Sequence, residues 1–357
     1  MTGHKTILIL GASYGSLLGM KLVLAGHHVT LVCLPEEADL INSEGARVRM
    51  PVRGREGLIT LDSRSAPGRL SAAGPEDVDP GVFDLIGLAM QEPQYAHPAI
   101  RALMERVAES ARPVMSIMNM PPLPFLARLP GVDADRLRDA YRDATVWDAF
   151  EPGRVTLASP DPQAFRPPAE PANTLQVSLP TNFKVAAFDD PEHTAILRQL
   201  ETDIDAVHYP IDGEILELPV KLRVFDSPYV PLAKWAMLLT GNYRCVTPDG
   251  PRAIRDAVHG DLAASAEIYA WVRDVCIELG AATQDLVPFE KYANAARGLA
   301  KPSSAARALY AGAPAIERVD RIVQALALTL GRRHPVLDQT VALVDAQLAR
   351  NGEKRAA

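Results

Sequence analysis

The sequence predicts an α/β protein with a parallel-sheet domain first and an all-helical domain after it. Three observations predict this. The chain opens with Thr6-Ile-Leu-Ile-Leu10 running straight into Gly11-Ala-Ser-Tyr-Gly15-Ser-Leu-Leu-Gly19, which reads as a buried strand, a glycine turn and a helix. Apolar runs at 7–10, 29–32, 85–89 and 114–117 then alternate with helical patterns, as in parallel strands joined by crossover helices. From residue 232 onward helical periodicity takes over, at 261–279, 316–330 and 336–348, broken by Gly, Pro and Ser turns.

The elements follow in order. Residues 95–110 carry Ile100, Leu103 and Val107 at helical spacing and supply the crossover between the third and fourth apolar runs. Residues 151–172 are dense in proline and read as a long loop. Residues 174–179 and 184–188 look like late strands, 192–203 like a helix, and 206–209 like the last short strand. A chain of 357 residues exceeds what one hydrophobic core usually serves, so two domains are expected, at 1–210 and 211–357. Residues 351–357 read as a frayed tail.

Composition narrows the function. Hydrophobic residues at 48% and charged residues at 23% are ordinary for a globular protein, and a formal charge of −7 offers no footprint for nucleic acid or an anionic membrane. Cys33, Cys245 and Cys276 lack disulfide-framework and metal-ligand spacing, so no metal site is expected and a reducing, cytoplasmic setting is. Small-molecule chemistry is the remaining class.

A strand running through a Gly-rich turn into a helix aims backbone N–H groups and the positive end of the helix dipole at one point, which suits a pyrophosphate. Gly11, Ser13, Tyr14, Gly15 and Ser16 are the residues of that turn. The spacing is Gly11-x-x-x-Gly15 rather than G-x-G-x-x-G, so the turn either cradles a dinucleotide or is simply a tight strand-to-helix connection. After the second run, Leu34 and Pro35 offer neither the acid that takes a ribose hydroxyl nor the base that takes a 2′-phosphate, while Glu36 and Glu37 suit the start of a helix.

Together with Ala25-Gly-His-His-Val-Thr-Leu-Val32, Phe83-Asp-Leu-Ile-Gly-Leu-Ala89, Ser116-Ile-Met-Asn119 and Ala233-Lys-Trp-Ala236, this opening makes the chain resemble the ketopantoate reductase family over nearly its whole length. The resemblance implies a Rossmann-type nucleotide-binding domain, a helical substrate and dimerisation domain, NADP or NAD as cofactor, and a homodimer. It also implies site residues. Asn119 matches an Asn beside nicotinamide and substrate, Lys234 the general acid, Asn242 a substrate-contacting Asn eight positions on, and Ser304 a substrate-contacting Ser. On a regular helix that eight-residue step is about two turns, or roughly 12 Å.

Other positions depart from the family pattern. Met120 follows Asn119 where a glycine is usual, Gln91 stands for a lysine, Leu34 for a basic residue, and the family's glutamate falls on Ile316 with Glu317 next to it. Tyr243 either lines the substrate beside Asn242 or belongs to a helix end, and Glu317 and Asp320 suit the first turn of a helix. The loop Met118-Asn-Met-Pro-Pro-Leu-Pro-Phe125 is either core filler or the wall of a pocket for a bulky apolar substrate. Two enzyme classes follow. One is a reductase of a carbonyl or imine with Lys234 as proton donor and Asn119 and Glu317 beside it. The other is a cofactor-independent lyase or isomerase using Lys234 and a carboxylate, and a binding protein without catalysis is a third possibility.

Overall fold

The computed structural model describes residues 3–211 and 213–356. It divides into two compact units, Met1–Met90 with Gln94–Phe125 and Val146–Asp226, and Gln91–Pro93 with Leu126–Thr145 and Ser227–Ala357.

The first unit begins with β1 (Thr6–Leu10), α1 (Tyr14–Leu24), β2 (His28–Val32), α2 (Pro35–Glu44), β3 (Arg47–Met50), β4 (Ile59–Asp62), β5 (Arg69–Ala73) and β6 (Leu85–Leu88). It continues through α3 (Pro98–Glu109), β7 (Val114–Ile117), α4 (Leu123–Leu126), β8 (Val155–Ser159), β9 (Gln163–Phe165), β10 (Thr174–Leu179), β11 (Phe183–Ala186), α5 (Pro191–Asp205), β12 (His208–Ile211), β13 (Glu214–Glu217) and β14 (Leu222–Phe225). Six strands lie parallel in the order β5-β2-β1-β6-β7-β8. Beyond them β11 pairs antiparallel with β8, and β14 parallel with β11. This is the 3-2-1-4-5-6 order of dinucleotide-binding sheets with two strands added at one edge. Ile7 to Leu10 are buried on both faces of the sheet, as a central parallel strand requires.

Three expectations change here. Residues 151–172 are not one loop: Val155 to Ser159 form the sixth parallel strand, because these residues are all buried and no proline falls between Pro152 and Pro160. The strand expected at 206–209 instead joins β12 to β13 in a separate hairpin, and β14 extends the main sheet in register with β11 from Phe183↔Leu222 to Ala186↔Phe225. That pairing moves the end of the first unit from 210 to Asp226. A four-stranded sheet, β4-β3-β10-β9, is also present without having been foreseen.

Lys21 of α1 is buried, and its Nζ donates to the carbonyl of Pro219 at 3.0 Å. The next residue, Val220, holds a left-handed φ of 62°, which is uncommon for a β-branched residue. The lysine thus ties α1 to the turn that leads into β14.

The second unit contains α6 (Lys234–Met237), α7 (Ile254–His259), α8 (Leu262–Glu278), α9 (Phe289–Ala296), α10 (Ser304–Tyr310), α11 (Val319–Thr329) and α12 (Pro335–Ala356). The 3₁₀ segment Ala134–Ala140 packs on α11 through buried Leu137 and Ala140, which brings 126–145 into this unit. The expected frayed tail is helical through Ala356. Buried Asn351 donates to the carbonyls of Leu309 at 2.8 Å and Ala313 at 2.9 Å, and those bonds hold the last turns in place. Among the described residues no helix is long and apolar enough to cross a membrane.

Candidate functional site

Strand order reverses between β1 and β6, and the crevice outside their carboxyl ends is where open α/β sheets bind ligands. Gly11 stands there with φ 102°, a conformation that favours glycine. A Cβ at this position would lie 2.6 Å from Met90 Cγ and 2.9 Å from the Ala89 carbonyl oxygen, so the close approach of the β6 end also requires glycine. Gly15 serves a different purpose. A Cβ on it would meet Ile9 Cγ2 at 2.9 Å, so its absence lets α1 sit down on β1.

The tight turn and the close helix packing of the fuller glycine fingerprint are therefore both provided, while Ser13 occupies the span where backbone would approach a pyrophosphate. Ser16 turns inward and donates to the Ala12 carbonyl at 2.6 Å, and half-buried Tyr14 packs on the core. The first turn of α1 carries no acidic residue, and the first N–H groups of a helix have no partner within it. Backbone and charge thus fit an anionic dinucleotide, with the flexible Met90 side chain overlying Gly11.

Beyond β2, Leu34 is 74% exposed at the head of α2. Glu37, in the first turn of that helix, forms an ion pair with Arg166 from the stretch after β9. Partial burial, with Glu37 adding to it, pushes the Cys33 thiol up to about 12, so this half-buried cysteine is a neutral group.

In the second unit Lys234 opens a helix that changes pitch along its length. After α6 comes a π turn, Leu238–Asn242, in which the Tyr243 N–H reaches back five residues to the Leu238 carbonyl. Tyr292 Oη donates to the Met237 carbonyl at 3.1 Å, and a Cβ at Gly241 would lie 2.0 Å from that hydroxyl. A tyrosine wedged against the helix therefore accounts for both the wide turn and the glycine.

The wide turn has a geometric result. Eight residues of regular helix leave two side chains about 80° apart, whereas a π turn absorbs one residue and leaves them about 20° apart. Lys234 and Asn242 consequently lie on one face. Lys234 is half-buried between buried Ala233 and Trp235, and the Asn242 carbonyl accepts the Ser303 hydroxyl at 2.7 Å. Ser303 is the residue that caps α10 and fixes Asn242, while Ser304 is exposed in the first turn.

Glu317 is buried, and the residues around it divide into structural and chemical groups. Tyr243 is a structural bolt: its hydroxyl donates to the Glu317 carbonyl and accepts the Val319 N–H at 3.0 Å. Asp320 does not decorate a helix surface. It is fully buried and takes two bonds from Arg318, at 2.9 and 2.8 Å, and Arg318 also reaches Asp345 at 2.7 Å.

The chemical group is one the sequence did not reveal. Glu92 is 2% exposed, and its Oε1 accepts the Arg142 N–H at 2.9 Å while Oε2 has no hydrogen bond among the described residues. Burial first, and repulsion from Glu317 after it, push the Glu92 carboxyl up to about 7. Its sequence signal is slight: a glutamate between Gln91 and Pro93 just past the end of β6. Gln91 is exposed in this unit, and in the first unit Asn119 is half-buried just after β7 with Met120 fully buried behind it.

The fold and these sites define an α/β protein with a Rossmann-type sheet unit and a helical C-terminal unit, the fold of the ketopantoate reductases. Solved structures sharing it include a protein from Ralstonia solanacearum MolK2 named as a candidate ketopantoate reductase, with TM-score 0.66, 17% identity, and 98% of this chain and 99% of that one covered. The 2-dehydropantoate 2-reductase of Methylococcus capsulatus matches with TM-score 0.63, 14% identity and 97% of each chain. The dimeric ketopantoate reductase of Staphylococcus aureus matches with TM-score 0.57, 12% identity, and 97% of this chain and 99% of that one. No protein-family model matches the chain, and no curated protein matches it in sequence.

Proposed function

We propose that the protein is a nicotinamide-dependent reductase of the ketopantoate reductase type, acting on a carbonyl or imine of a substrate more apolar than ketopantoate. The observation that carries this reading is the Gly11 turn, a tight glycine bend ahead of a helix with no acidic residue in its first turn, at the strand-order reversal of a 3-2-1-4-5-6 sheet. Bound NADPH or NADH supplies the hydride. Lys234, its amine half-buried beside Trp235, gives a proton to the substrate oxygen or nitrogen as the carbon is reduced. Asn242, on the same face, orients the substrate, and Asn119 holds a polar group at the end of β7.

The family's substrate glutamate falls on Ile316, and the loop around Asn119 carries the apolar groups Met118, Met120, Leu123 and Phe125, which together favour a bulky apolar substrate. By analogy with the Staphylococcus aureus protein we take the working assembly as a homodimer. Three cysteines outside any disulfide support a cytoplasmic setting.

Titration of NADPH and NADH against the purified protein, followed by nicotinamide fluorescence, tests the reading, and no binding at millimolar cofactor overturns it. With a substrate found by screening 2-keto acids and imines at 340 nm, Lys234→Ala is expected to lower kcat by about 10²- to 10⁴-fold without changing cofactor affinity. Retained turnover returns Lys234 to the role of a solvated surface lysine.

One observation favours a second reading. Glu92 holds a proton near neutral pH beside the Glu317 carboxylate, an arrangement suited to a lyase or isomerase that needs acid and base but no hydride. Turnover without nicotinamide would select it.

A further inference from the structure

Where β2 ends, sheets of this order choose between the ribose hydroxyl of NADH and the 2′-phosphate of NADPH, and Leu34 serves neither. Two groups able to do so meet close by. Glu37 lies three residues past Leu34, and Arg166 reaches it from 129 residues further along the chain. Cys33 feels the charge of both, which places the pair at the strand end. Arg166 arrives there because β9 pairs with β10 and β10 with β3, so the small sheet delivers it to this position.

The exposures of the two side chains differ. Glu37 is 10% exposed and Arg166 36%, so the carboxylate is the inner partner and the guanidinium the one presented to solvent. A guanidinium fork matches phosphate oxygens as well as it matches a carboxylate. We propose that Arg166 binds the 2′-phosphate of NADPH in place of the base missing at position 34, with Glu37 as its inner anchor, and that the protein prefers NADPH to NADH. The inference rests on the reductase reading and adds to it the residue that sets cofactor choice.

Binding of 2′,5′-ADP, 5′-AMP, NADPH and NADH to the full-length protein, measured by calorimetry, tests this apart from turnover. The phosphate-bearing ligands are expected to bind more tightly than their counterparts. Arg166→Ala is expected to weaken NADPH and 2′,5′-ADP by about 10- to 100-fold, as loss of hydrogen bonds to a charged group implies, and to leave NADH and 5′-AMP within about threefold. Arg166→Lys keeps the charge and is expected to fall between. If wild type binds NADPH and both variants bind it equally well, or if wild type prefers NADH, the assignment of Arg166 fails while the reductase reading stands. If wild type binds none of the four ligands, both fail. An unchanged unfolding midpoint in either variant separates lost binding from lost folding.

Discussion

The two units bury ionisable groups in opposite ways. In the first, an amine is taken out of water: burial pulls Lys21 down to about 7, and Nζ meets the Pro219 carbonyl. In the second, the most deeply buried charged groups, Asp320 and Glu92, are carboxyls, and they are handled in two manners. Asp320 is matched by Arg318, while Glu92 has one oxygen on a backbone N–H, one without a hydrogen bond among the described residues, and a carboxyl pushed up to about 7. The first unit uses Lys21 to close the fold and offers a ligand the backbone of its glycine turn and the Arg166 side chain over Glu37. The second presents side chains that can move protons.

The sharpest way to break this contrast is Asp320→Asn. Arg318 would keep its contact with half-buried Asp345 but lose its buried counter-charge, and loss of one partner from a buried ion pair costs about 3–5 kcal/mol. Urea unfolding should show that loss, while nicotinamide binding to native protein should persist; loss of binding with native structure intact would mean the units are not independent.

Lys21→Met comes next. Between about pH 7 and 10.5 the unfolded chain holds a proton that the folded chain has released, so wild-type stability rises with pH across that window. Each pH unit of it corresponds to about 1.4 kcal/mol, reduced by the loss of the bond to Pro219, so the methionine variant should be about 3 kcal/mol more stable at pH 7 and lose that advantage by pH 10. A destabilised variant at pH 7 would show that the amine's hydrogen bond outweighs its burial.

Glu92→Gln gives the smaller effect, with the opposite slope. From about pH 4.5 to 7 the folded chain keeps the Glu92 proton and the unfolded chain does not, so wild-type stability falls as pH rises, by about 3 kcal/mol at most. Unfolding midpoints of the glutamine variant should lack that decline. An unchanged decline would place the proton elsewhere.

What the sequence disclosed follows from locality. β1, β6 and β7 are short apolar runs buried on both faces, and such runs are visible residue by residue. Arg-Val-Arg-Met of β3 and Ile-Thr-Leu-Asp of β4 mix charge with apolar residues, and β8 lies between Pro152 and a proline-rich stretch, so these were hidden. The glycine turn, Lys234 and Asn242 were legible as motif and resemblance. Glu92 and Arg166 were not, because their meaning lies in partners 50 and 129 residues away. Lys21 reads as an ordinary helical lysine until the carbonyl of Pro219, 198 residues on, is seen against it.

The wide turn at Leu238–Asn242 also bears on how such a chain can change over time. Deleting one residue within it would leave Lys234 and Asn242 seven positions apart, and on a regular helix seven steps bring two side chains back to within about 20° of each other. A longer chain with the bulge and a shorter chain without it therefore present the same two groups to a substrate. Length can drift at this point while the chemistry stays in phase, provided that Tyr292 and Gly241 change together with it.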